Sequence, residues 1–200
     1  MIRIGVLISG SGSNLQAILD GCREGRIDGQ VVVVIADKAD AYGLERARRA
    51  GVEAIFLDPA SYESKSAYNT AIAETLKGRA VDLVCLAGYM RIVRKPVLEA
   101  FPDRIMNIHP SLLPAFPGLE AQRQALEYGV KVAGCTVHFV TAGMDEGPII
   151  LQAAVPVEEG DTFETLRDRI LKEEHRIYPQ AIQLFAEGRL TVQGRRVLIS

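Results

Sequence analysis

The stretch IRIGVLISGSGSNLQAILDGC, Ile2 to Cys22, places a short apolar run, a glycine- and serine-rich loop and a helical repeat in immediate succession. Ile2 to Ile8 has the length and composition of a strand, SGSGSN from Ser9 to Asn14 ends it, and Leu15, Ile18, Leu19 and Cys22 then share one helix face. Ser13 with Gln16 three residues on matches a capping box, which predicts Ser13 as the helix N-cap. The strand-loop-helix pattern repeats. Val31 to Ile35 is a continuous β-branched run, as expected of a parallel strand covered on both faces, and Gly43 to Ala50 reads as a helix ended by Gly51. Ala54 to Leu57, Ser64 to Leu76 and Val81 to Leu86 give a third strand, a longer helix and a fourth strand. This alternation predicts an α/β fold, an open, mostly parallel twisted sheet with helices on both faces.

Beyond Ala87-Gly88-Tyr89-Met90, a short helix over Lys95 to Ala100 precedes a strand over Arg104 to Ile108. A helix from Leu119 to Tyr128 is closed by Gly129, and two strands, Lys131 to Val140 and Ile149 to Val157, flank the loop TAGMDEGP and predict a hairpin. Phe163 to Ala186 gives a long helix with Pro179 placed to kink it, and Leu190 to Ile199 reads as one terminal strand. With no repeat or flexible linker, the expectation is a single domain over 1–200, a βα half at 1–105 followed by a second half at 106–200.

Composition excludes several classes of function. The 200 residues are 48% hydrophobic, enough for a domain burying roughly 70% of its unfolded surface. The 23 basic and 25 acidic residues nearly cancel and form no dense basic run, so neither nucleic acid nor an anionic membrane is an expected partner. Cys22, Cys85 and Cys135 are odd in number and widely spaced, which argues against a disulfide framework or a metal site. Met1 leads straight into a strand, unlike a signal peptide. The expectation is a soluble cytoplasmic protein with small-molecule substrates, a monomer or homodimer.

Two stretches carry candidate chemistry. In MNIHPSLLPAFPG, Met106 to Gly118, Asn107 and His109 stand two apart on a strand and so project from one face, before Pro110, Pro114 and Pro117 impose an irregular loop. An amide can donate to a developing oxyanion and an imidazole can move a proton near neutral pH. The competing reading is a capped turn with a packed histidine. Asp145, flanked by Gly143 and Gly147, can orient and charge such a histidine if both strands end at one sheet edge; otherwise it is a surface turn residue. The first glycine loop suits an anion held by backbone N–H groups at a helix start. It lacks the lysine of a P-loop, and Leu15 replaces the third glycine of the dinucleotide fingerprint, so a phosphomonoester fits better than NAD or ATP. No nucleophile elbow is present, which favours direct attack between two bound substrates over covalent catalysis. His138 reads as structural, His175 as a helix residue without a catalytic role, and Lys65 as a solvated cation.

Taken together, SGSGSNLQA (Ser9 to Ala17), AGYMRIV (Ala87 to Val93), MNIHPSLLPAFPG and VHFVTAGMDEGPIILQ (Val137 to Gln152) resemble the phosphoribosylglycinamide formyltransferase family over nearly the whole chain. The HPSLLP and D-x-GP elements are shared with other formyltetrahydrofolate-using enzymes, and the first glycine loop separates them. The resemblance implies a formyltransferase fold with a Rossmann-like N-terminal half. It implies transfer of a formyl group from 10-formyltetrahydrofolate to the amine of glycinamide ribonucleotide, in purine biosynthesis and without a metal. It also implies Asn107, His109 and Asp145 as the catalytic trio, and Gly10, Ser11, Gly12, Ser13, Asn14 and Glu174 as the nucleotide site. Lys65, Met90, Arg91, Ile92 and Val93, with Asn107, would hold the folate. Lys65 stands where the family commonly has arginine, and Glu120 and Gln122 replace histidines that many members carry. A formyltetrahydrofolate deformylase and a non-catalytic nucleotide-binding module are the alternatives.

Overall fold

The computed structural model describes residues 1–200. Nine strands form one sheet: β1 (Ile2–Ile8), β2 (Gly29–Ala36), β3 (Glu53–Phe56), β4 (Leu83–Leu86), β5 (Ile105–His109), β6 (Val132–Phe139), β7 (Ile149–Pro156), β8 (Leu190–Gln193) and β9 (Arg196–Ile199). Six helices connect them: α1 (Ser13–Arg23), α2 (Tyr42–Arg49), α3 (Lys65–Lys77), α4 (Lys95–Ala100), α5 (Ala121–Tyr128) and α6 (Phe163–Ala186). The order across the sheet is β3-β2-β1-β4-β5-β6-β7-β9-β8. From β3 to β5 all neighbours are parallel, and the sense reverses at β5–β6 and again at β6–β7. The mostly parallel sheet with helices on both sides agrees with the alternation in the sequence.

The strand period of two divides the core. Ile4, Val6 and Ile8 of β1 face α1, α2 and α6 in one apolar layer, while Leu7 joins Val33, Ile35, Ile72 and Leu76 in the other, under α3 and α4. Burial on both faces is why β4 and the later parts of β1 and β2, beyond the exposed Arg3 and Gln30, read as apolar runs. No helix is long and apolar enough to cross a membrane.

Three details depart from the sequence reading. Gly12, not Ser13, is the N-cap of α1: its backbone is left-handed, with φ 71°, and its carbonyl accepts from Gln16 N–H at 2.9 Å. A side chain at Gly12 would come within 2.7 Å of the Gly43 Cα, so only glycine fits where α2 crosses the loop. Second, α5 begins at Ala121 because Glu120 is itself left-handed. Third, the terminal segment is a hairpin, β8 pairing antiparallel with β9 across Gly194, whose φ of 60° suits the reversal. α6 runs as one element through the buried Pro179.

Tyr178 of α6 locks this helix to the sheet. Its buried hydroxyl lies 3.0 Å from both the Leu86 carbonyl, at the end of β4, and the Met106 carbonyl, near the start of β5, and burial pushes its pKa well up so that it stays a neutral donor. Tyr178→Phe leaves these carbonyls without that donor and is expected to cost about 1–3 kcal/mol. Urea unfolding checks this; an unchanged midpoint would show that the contact contributes nothing.

Candidate active site

The loops after β1, β4 and β5 leave the carboxyl ends of three strands that are neighbours in the sheet. In open parallel sheets this edge is where ligands bind. It gathers Ser9 to Asn14, Ala87 to Val93, and His109 with the proline loop. Ser9 stitches the first two together, its hydroxyl accepting from Met90 N–H at 2.9 Å and its own N–H donating to the Gly88 carbonyl at 3.1 Å.

The reversal at β5–β6 builds the polar centre. Asn107 pairs with His138 and His109 with Thr136, so all four side chains lie on one face. The Asn107 amide nitrogen is 3.2 Å from His138 Nε2, and His138 Nδ1 is 2.9 Å from the Phe139 carbonyl. A carbonyl only accepts, so the proton sits on Nδ1 and the bare Nε2 accepts from Asn107. Burial lowers the His138 pKa, which keeps this neutral form. His109 Nε2 donates to the Phe116 carbonyl at 2.8 Å, and its Nδ1 faces Asp145 Oδ2 at 3.6 Å. That distance exceeds a good hydrogen bond and is an ion-pair distance when the ring is charged. Asp145 also lies 3.9 Å from His138 Nε2 and accepts from Gly118 N–H at 2.8 Å. Its backbone is left-handed, φ 53°, and Gly147 after it abuts the Phe139 carbonyl so closely that no side chain fits.

Thr136 holds the proline loop down. Its hydroxyl donates to the Ser111 carbonyl at 2.7 Å and accepts from Leu113 N–H at 3.1 Å, and Gln152 reaches the Leu113 carbonyl at 3.0 Å. No group of three or more His, Cys, Asp or Glu side chains is placed to hold a metal ion. Burial raises the thiol pKa of Cys22 and Cys85, and that of Cys135 to about 12, so none is a ready thiolate.

In the glycine loop, Gly10 and Ser11 are exposed and the first turn of α1 leaves N–H groups free. Arg46 of α2 props the loop from behind, donating to the Ser11 carbonyl at 2.8 Å and to Gln16 at 3.2 Å. Asn14 and Glu174, 160 positions apart, meet at 2.7 Å, and Asn14 Oδ1 is buried without a partner. Burial raises the Glu174 pKa, with Asn14 opposing.

The remaining expected residues divide. Met90 and Ile92 expose apolar side chains, and Val93 is buried. Arg91 points its guanidinium at buried Asp37, 2.7 Å away, at the end of β2. Lys65 is exposed on the first turn of α3, in an outer cleft with Ile92 and Val93. Glu120 and Gln122 stand at the start of α5, where Glu120 faces Arg123 at 3.5 Å. His138, read as structural, is buried and contacts Asn107. The sequence showed it on a strand, but only the antiparallel register opposite β5 reveals its neighbour.

Glu174 yields a stability test. A carboxyl whose folded pKa is raised stabilises the fold below its ordinary value of 4.5 and loses that contribution as pH rises through the folded value. Glu174→Gln keeps an acceptor for Asn14 and carries no charge, so its stability relative to wild type is expected to increase from pH 4 to pH 7. Urea midpoints across that range check this; a relative loss toward pH 7 would contradict it.

Against known proteins, the formyl transferase family pattern matches residues 2–182. The chain is 49% identical to phosphoribosylglycinamide formyltransferase of Escherichia coli over 94% of this chain and 89% of that one. It is also 49% identical to the bovine trifunctional purine biosynthetic protein adenosine-3, covering 96% of this chain but spanning only 19% of that protein's length. The crystal structure of glycinamide ribonucleotide transformylase 1 from Symbiobacterium toebii superposes with a TM-score of 0.99 at 79% identity, over 100% of this chain and 94% of that one. The chain belongs to the formyl transferase family and, within it, to the phosphoribosylglycinamide formyltransferases.

Proposed function

We propose that this chain transfers the formyl group of 10-formyltetrahydrofolate to the amine of N1-(5-phosphoribosyl)glycinamide, giving the N-formyl product and tetrahydrofolate in purine biosynthesis. The observation that carries this reading is one sheet edge that joins a glycine loop suited to a phosphomonoester with an amide, an imidazole and a carboxylate in mutual reach. The Gly10 to Asn14 loop, with Ser13 at the first turn of α1, takes the phosphate. Glu174, held by Asn14, faces the rest of the nucleotide. The folate lies against Met90, Arg91, Ile92 and Val93, with Lys65 further out.

The amine nitrogen bonds to the formyl carbon and the bond from that carbon to the folate nitrogen breaks, through a tetrahedral intermediate. Asn107 already gives one amide proton to His138 and keeps the other for the oxyanion. His109 moves the proton from the attacking amine toward the departing folate nitrogen, and Asp145 favours its charged form as that proton is held. No oxidant or metal enters the balance. The setting proposed is cytoplasmic, with small-molecule partners only.

His109→Ala is expected to lower kcat by about 10²- to 10⁴-fold while both substrates still bind. Wild-type turnover by the variant would remove His109 from proton transfer. Mixing wild-type protein with 10-formyltetrahydrofolate, with and without the ribonucleotide, separates transfer from hydrolysis. Loss of the formyl group at the same rate without the amine would make the chain a deformylase, and no loss in either case would leave a binding module.

A further inference from the structure

Two carbonyls of the glycine loop are taken by α2. Gly43 N–H donates to the Gly10 carbonyl at 3.1 Å, and Arg46 Nε donates to the Ser11 carbonyl at 2.8 Å. Both peptides are trans, and in a trans peptide the C=O and the following N–H point to opposite sides of the chain. Pinning these carbonyls against α2 therefore turns the Ser11 and Gly12 N–H groups away from it, and neither donates to any group in the protein. The donors left for an anion are aimed by what happens on the reverse of the loop. Of the two anchors, only Arg46 uses a side chain, and only Arg46 brings charge.

The Arg46 guanidinium is fixed by several neighbours. Nη1 donates to Gln16 Oε1 at 3.2 Å, and the guanidinium carbon lies 5.0 Å from the Tyr42 ring centre. A Cβ on Gly12 would stand 3.4 Å from Arg46 Cδ, so the aliphatic stem lies against the loop. None of these partners is an anion. Glu45, the carboxylate beside it in α2, pairs instead with Arg48 and Arg49. The field of Arg46 reaches α6, where burial first and this charge second lower the His175 pKa. His175 stays neutral, so Arg46 rather than that histidine carries positive charge behind the loop.

We propose that Arg46 is a positioning residue for the phosphate of the nucleotide substrate. From behind the loop it sets the Ser11–Gly12 peptide so that its N–H faces the phosphate, and it supplies the cation that this loop, without the lysine of a P-loop, does not carry itself. The proposal rests on the nucleotide reading above. Arg46 acts through the Ser11 carbonyl and through its field, not by contact with the phosphate. A charged donor on the carbonyl also polarises the peptide, which strengthens the N–H at its other end.

The test pairs ligands with variants. Binding of the ribonucleotide, of the same molecule without its phosphate, and of inorganic phosphate is measured by calorimetry on the full chain for wild type, Arg46→Met and Arg46→Lys, with formyl transfer followed alongside. Methionine keeps an apolar stem and removes both donor and charge, whereas lysine keeps the charge and loses the planar fork. Arg46→Met is expected to weaken binding of the ribonucleotide and of inorganic phosphate roughly ten- to thirtyfold, and Arg46→Lys roughly threefold. Affinity for the phosphate-free ligand and KM for the formyl donor are expected to move less than about twofold in both variants. If Arg46→Met does not fold, Arg46→Lys decides the same comparison. Unchanged ribonucleotide affinity in either variant overturns the proposal, and so does an equal loss for the ligand with and without phosphate, which would make Arg46 a structural prop only. Phosphate binding that depends on Arg46 in a protein that transfers no formyl group would leave the Arg46 assignment standing and remove the transferase reading.

Discussion

The antiparallel pairing of β5 with β6 is the constraint on which the site depends. Four parallel strands precede β5 in sheet order, and a parallel β6 would need a crossover on its far side. Reversal instead sets polar residues directly opposite one another, Asn107 against His138 and His109 against Thr136, at a depth where an unpaired polar group costs heavily. Each group finds a partner within the same small set. Thr136 serves the backbone of the proline loop, and that loop returns a carbonyl from Phe116 to His109 and an N–H from Gly118 to Asp145.

Charge in this cluster is arranged by what each group cannot do. His138 is surrounded so that a proton on both nitrogens is disfavoured, and its neutral ring settles which way the Asn107 amide faces. Asp145 is the one carboxylate among two imidazoles, closer to His109 than to His138. The same economy holds beside the glycine loop, where Glu174 is buried against the neutral Asn14 and no cation neutralises it.

The βα alternation was readable because strands covered on both faces leave continuous apolar runs, and the period-two and period-3.6 signals do not overlap in β1, α1 and β2. Asn107 and His109 were readable for the same reason, since their spacing alone puts them on one face. His138 was not, because its role depends on the pairing partner of its strand, a long-range choice that local pattern does not encode. The N-cap shifted from Ser13 to Gly12 for a similar reason: a side-chain signal pointed one way, and contact with α2 decided otherwise. The Gly194 turn was lost inside an apolar-looking segment. The ion pair of Arg91 was not readable either, because its counter-ion, Asp37, lies 54 positions away.

The contact of Gly12 with Gly43 has a consequence for how this architecture diverges. Two backbones touch there with no side chain between them, and Gly43 N–H donates to the Gly10 carbonyl at 3.1 Å, so the loop and α2 share one mechanical position. A second side chain at Gly43 would strike Ile8 in the core, which removes the simplest compensating change. The outer face of α2 is free to drift, but its inner start is tied to the loop. A descendant chain that enlarges either glycine must therefore rebuild the loop's backbone as well, and with it the set of N–H groups the loop presents.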